Sequence, residues 1–131
     1  NLPPSPPETP PWKKTRKGRT KPKLDVVYCI DLNDTFNGLH CYKLGATSLT
    51  KRGLWSRLAN IRAGSQLQCV LLQWCYVGPD RAPQLEKDIL AIGQRTDHHT
   101  WQGHKEVRAL TPAQLEQVIQ LIRGAEVPFP V

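Results

Sequence analysis

Two segments with strand-like composition each carry a tyrosine, Tyr28 and Tyr42, and a cation-rich stretch follows them. Residues 43–62 contain Lys43, Lys51, Arg52, Arg57 and Arg62 and no acid. A local excess of positive charge of this kind suits the holding of a phosphate group. Glu86 stands on a later helical segment and completes a set of phenol, ammonium, guanidinium and carboxylate. His40, beside the second strand-like segment, is a further candidate for phosphate contact. His98, His99 and His104 cluster without paired cysteines or zinc-ligand spacing and read as loop residues, and Trp101 beside them is read as capping a core more readily than stacking on a base. Gly-rich phosphate loops and a G-x-S-x-G elbow are absent.

The elements that must position this set follow from hydrophobic pattern. Asp25 to Leu32 is apolar and β-branched, residues 33–38 are turn formers, and His40 to Gly45 reads as the return strand of a β-hairpin. Leu54, Leu58 and Ile61 recur at helical spacing up to Gly64. Residues 67–77, LQCVLLQWCYV, have the density of a fully buried strand. Pro83 suits the first turn of a second helix capped near Asp80 or Ala82, with Leu85, Ile89 and Ile92 inward and Gly93 closing it. Residues 94–104 have no period and read as a loop, and Lys105 to Leu110 as an optional short strand. Thr111, Pro112 and Gln114 spell a capping box opening a third helix with Leu115, Ile119 and Ile122 on its face and Gly124 past its end.

Charge divides the chain of 131 residues into two parts. Residues 1–23 hold seven of the twelve prolines and seven Lys/Arg against Glu8 alone, a net charge of +6, which leaves +1 for residues 24–131. The basic character therefore belongs to an arm and not to the fold. Residues 1–11 favour polyproline II and residues 13–23 form a cationic run, either a solubilising linker or a source of nonspecific phosphate contacts. The expected organisation is a Pro-rich basic linker over 1–23, one domain over 24–124 and a tail over 125–131. No apolar run approaches the ~20 residues of a membrane span, and no apolar leader opens the chain. The start at Asn1 and the lack of methionine point to a piece of a longer protein with further domains before the linker. Cys29, Cys41, Cys69 and Cys75 form no C-x-x-C pair and read as buried free thiols in preference to a disulfide framework.

Taken in order, these segments resemble the GIY-YIG nuclease superfamily. Val26-Val27-Tyr28 sits where Gly-Ile-Tyr is expected and Lys43-Leu44-Gly45 where Tyr-Ile-Gly is expected. Lys43 replaces the second tyrosine, as in the phage and bacterial branch whose second motif reads Lys-Ile-Gly. RLANIRAG at 57–64 is similar to that branch's helix, and Ala82-Pro83-Gln84-Leu85-Glu86 to the segment bearing its glutamate. The resemblance spans roughly residues 25–110. It implies a small α/β sandwich with a mostly antiparallel three-stranded sheet flanked by helices, acting as a metal-dependent endonuclease on double-stranded DNA. Tyr28 and Lys43 would handle the attacking water, Arg57 the phosphate, and Glu86 a single Mg²⁺ or Mn²⁺. Tyr28 would serve as base if neighbouring positive charge lowered its pKa from about 10. Arg52 rivals Arg57 for the family arginine; Lys51, Arg62, His40 and Tyr42 are further candidates for substrate contact. Strand alternation requires Tyr28 to share a face with Lys43 and Cys41, with Cys29 in the other layer; if Tyr42 faces Tyr28 instead, it replaces Lys43. The expected site of action is cytoplasmic, with a secreted toxin-like effector as the other setting. A nucleic-acid-binding module that kept the fold without catalysis, and a tethered protein-interaction domain, are the competing readings.

Overall fold

The computed structural model describes residues 24–49, 54–65, 67–96 and 104–129. Strands β1 (Val26–Phe36) and β2 (Leu39–Thr47) form a hairpin, followed by helix α1 (Leu54–Ser65), strand β3 (Val70–Tyr76) and helix α2 (Ala82–Leu90). A two-residue β4 (Gln94–Arg95), a one-turn 3-10 helix (His104–Glu106), β5 (Val107–Leu110) and helix α3 (Pro112–Gly124) complete the chain. The sheet runs β3-β1-β2-β5-β4 and every pairing is antiparallel.

The α/β class and the antiparallel sheet agree with expectation, but the sheet has five strands and not three. The optional strand is a full member, β5, hydrogen-bonded between β2 and β4. Its partner β4 has two residues, too few to show any period, and it came from the stretch read as loop. The turn formers at 33–38 are used differently as well. β1 continues to Phe36, and only Asn37-Gly38 make the turn, both at positive φ (54° and 79°) as a type I′ hairpin requires. The remaining polar residues build a bulge between Asp31 and Thr35. There Asn33 takes φ 55° and the Asp31 carboxylate accepts its N–H at 2.8 Å.

Side-chain alternation sorts the core into two layers. Tyr28, Ile30, Leu32, Cys41, Val107 and Ala109 pack with Leu58 and Ile61 of α1 on one face. Val27, Cys29, Tyr42 and Leu44 pack with Leu85 and Ile89 of α2 and Val118 and Ile122 of α3 on the other. In α3 the fully buried pair is Val118 and Ile122, with Ile119 only part-buried. The Thr111–Gln114 capping box is formed, each residue's side chain taking the other's backbone N–H. Helix α2 starts at Arg81 with no side-chain cap, Pro83 occupying its first turn, and Ile92 packs on the core from beyond its end.

Strand β3 is not fully buried. It is an edge strand, and Val70, Leu72 and Trp74 stay exposed, Val70 by 54%. Composition alone does not distinguish an apolar edge strand from a central one. The segment after α3 covers part of this edge: Val127 N–H donates to the Tyr76 carbonyl at 3.0 Å and Phe129 meets the Tyr76 ring edge-on at 5.3 Å. All four cysteines are buried free thiols. No helix among the described residues is long and apolar enough to cross a membrane.

Candidate active site

The hairpin register sets the first two groups. Tyr28 lies opposite Gly45 and Ile30 opposite Lys43, so Tyr28 and Lys43 are diagonal neighbours on the face covered by α1. Gly45 makes this approach possible. A Cβ there would lie 2.6 Å from the Tyr28 hydroxyl, 2.9 Å from its Cζ and 3.4 Å from Lys43 Nζ, so the phenol folds into the space a side chain would fill. The Tyr28 hydroxyl accepts from Lys43 Nζ at 3.5 Å, and both side chains are about 1% exposed.

Glu86 reaches the same place from the opposite helical layer. β2 pairs with β5 only as far as Lys43–Val107, so its last residues project past that neighbour. There the Ala46 N–H donates to Glu86 Oε2 at 3.1 Å, which brings the carboxylate of α2 to the end of β2. Arg57, exposed on the first turns of α1, lines one cleft with Lys43, Asn60, Ile61 and Gly64. Its charge acts on Tyr28, Lys43 and Glu106. The structure thus brings Tyr28, Lys43, Arg57 and Glu86 together.

A fifth group was not singled out in the sequence. Glu106 ends the 3-10 turn ahead of β5, and because Val107 pairs with Lys43, its carboxylate falls beside Nζ and bonds to it. It also lies close enough to the Glu86 carboxyl to shift its titration. Buried Arg108 secures this turn, donating to the carbonyls of Leu90 (2.7 Å), Lys105 (2.8 Å) and Val107 (2.9 Å). The sequence signal that could have found Glu106 was its place as the one acid in the strand-like run 105–110.

Burial dominates the electrostatics. It pushes the Tyr28 phenol up, against the Arg57 charge, so the expectation of a lowered tyrosine is corrected: the hydroxyl stays protonated. Burial pulls Lys43 down while Glu106 pushes it back up. Burial, then the hydrogen bond and charge of Glu106, push Glu86 up to about 7, against the Ala46 N–H and Lys43. Glu106 is also penalised by burial, but Lys43, the Glu86 hydrogen bond and Arg57 hold it below the usual carboxylate range. The two carboxyls therefore titrate as a pair, Glu86 shifted up and Glu106 down.

Other candidates lie elsewhere. Tyr42 faces the opposite layer with Cys29 and Leu44, as alternation dictates, and does not replace Lys43. His40 is exposed near the hairpin turn, roughly 10 Å along the strand from Lys43. Arg62 donates to the Cys69 carbonyl at 2.6 and 3.1 Å, which ties α1 to the approach of β3. Lys51, Arg52, His98, His99 and Trp101 lie outside the described residues. His104 is half-buried in the turn that carries Glu106.

No protein-family model, curated protein or solved structure matches this chain.

Proposed function

We propose that this domain is a metal-dependent endonuclease of GIY-YIG type that hydrolyses DNA phosphodiester bonds. The observation that carries this reading is the meeting of Tyr28, Lys43, Arg57 and Glu86 at one end of β2, drawn from two strands and two helices. Phosphodiester hydrolysis needs an oriented water, a proton acceptor for it, and stabilisation of charge on the phosphate and the departing oxygen. The Tyr28 hydroxyl, protonated, orients the water. Lys43, ion-paired with Glu106, holds positive charge against the Tyr28 hydroxyl and toward the phosphate, and the water's proton leaves to solvent through the cleft. Arg57, exposed at the mouth of the cleft, forks onto non-bridging phosphate oxygens.

Glu86 fits a divalent cation such as Mg²⁺ or Mn²⁺. One of its oxygens is anchored by an amide, its carboxyl lies beside a second carboxyl, and a cation can take the place of the proton that it otherwise holds. Among the described residues no group of three or more His, Cys, Asp or Glu could hold a metal, so on this reading the ion on Glu86 is completed by water and substrate. Bound there, the ion would stabilise charge on the phosphate and the leaving oxygen.

Nicking of supercoiled plasmid by the wild type and by Glu86→Gln, with Mg²⁺ and with chelator, tests the reading. Metal-dependent nicking that disappears in a normally folded Glu86→Gln supports it. Absence of nicking by the wild type, with plasmid binding retained, transfers the site to a nucleic-acid-binding module.

A further inference from the structure

The Lys43 ammonium is 1% exposed, and an ammonium removed from water demands a counter-charge within bonding distance. Glu106 supplies it, and the register of β2 with β5 leaves little freedom in where the carboxylate falls. Glu86, the neighbouring acid, is bonded to the end of β2. Glu106 pairs with the cation that meets the Tyr28 hydroxyl and keeps 37% of its own side chain exposed, while Arg57 is exposed on α1 at the cleft. A buried ion pair is a weak stability device, because an apolar pair of similar volume serves folding as well or better. What the pair supplies is a fixed location for Nζ.

Resting on the nuclease reading above, we propose that Glu106 is a positioning residue: it acts through Lys43, holding the ammonium against the Tyr28 hydroxyl, without touching substrate. The role explains why an acid is kept in a site meant for an anion. Its charge is offset by the ion pair with Lys43.

The full chain carrying Glu106→Gln tests this, since the amide keeps the shape and the hydrogen-bonding capacity but removes the charge. Plasmid nicking should show kcat reduced by roughly 10- to 100-fold, the range typical for loss of an outer partner of a working group. KM for DNA and the Mg²⁺ concentration giving half-maximal rate should not move. Independently of activity, the ¹⁵N-ammonium resonance of Lys43, protected from exchange in the wild type by burial and pairing, should vanish in Glu106→Gln. An unchanged kcat or an unchanged ammonium resonance overturns the proposal. A raised Mg²⁺ requirement overturns it too, by making Glu106 a metal ligand. If Glu106→Gln does not fold, Glu106→Asp, which withdraws the charge by one methylene, is read by the same criteria. If the wild type nicks nothing, the nuclease reading falls, and the ammonium resonance alone decides whether Glu106 positions Lys43.

Discussion

Glu86 is the side chain whose titration the fold alters most usefully. Its carboxyl is pushed from 4.5 to about 7 by burial and by Glu106, so the folded state favours the protonated acid. A group raised in this way contributes stability at pH below about 4.5, and that contribution is lost as pH rises through about 7. Glu106, held low, works in the acid range instead, losing its contribution as pH falls through its folded pKa. In chelator, Glu86→Gln should therefore be more stable to unfolding than wild type at pH 8 by about 1–2 kcal/mol, after allowance for solvent screening of a half-exposed group, and melt at a higher temperature. The two should converge toward pH 5; parallel pH profiles for variant and wild type would sink the assignment of the raised carboxyl to Glu86. Arg57 invites a different test, because it is exposed and its helix is anchored by Leu58 and Ile61. Arg57→Ala should lose cleavage by at least ~100-fold, on the scale of a removed transition-state donor, with unfolding temperature unchanged. Full activity in Arg57→Ala together with inactivity of Arg52→Ala would move the phosphate role to the other arginine.

Among the elements, the β1–β2 hairpin does most to build the site. Its two-residue turn sets the register that places Tyr28 across from Gly45, and Gly45 admits the phenol. Gly45→Ala should cost about 1–3 kcal/mol in urea unfolding, the usual penalty for forcing one extra carbon into a filled space. Pairing it with Tyr28→Phe should recover part of that cost, because the nearest atom, the hydroxyl oxygen, is removed. Strict additivity of the two substitutions would show that the clash lies elsewhere. The bulge at 31–35 and the short β5 contribute by termination. β5 stops pairing with β2 at Lys43, and the Ala46 amide past that point is bonded by Glu86.

On the scale of the whole molecule, charge is unevenly distributed, with +6 in residues 1–23 and +1 in the remainder. Residues 13–23 bring seven cations and no acid. If they follow the DNA backbone, a protein lacking residues 1–23 should bind more weakly on every sequence and with a flatter salt dependence, the slope falling by about 0.9 for each phosphate no longer neutralised. Its cleavage rate at saturating DNA should match the full chain, since none of Tyr28, Lys43, Arg57, Glu86 or Glu106 lies in the arm. Binding isotherms across salt concentrations check the first half and saturating rates the second; an unchanged slope would make the arm a linker.

By itself the sequence determined what depends on neighbours along the chain. The capping box of α3 is written in Thr111, Pro112 and Gln114, and the parity that separates Tyr28 and Lys43 from Cys29 and Tyr42 follows from strand alternation once the strands are recognised. Tertiary structure decided what depends on distant partners. The apolar run at 67–77 became an edge because sheet order is set by pairing energies that no single segment contains. Two-residue β4 exists only because β5 offers it a ladder. The direction of the Tyr28 shift was decided by burial, which outweighs the cationic neighbourhood that local charge suggests. Glu106 entered the site through 63 residues of sequence separation from Lys43, bridged by one cross-strand register. A contact of that kind is a property of the closed sheet, and only the folded chain brings its two ends together.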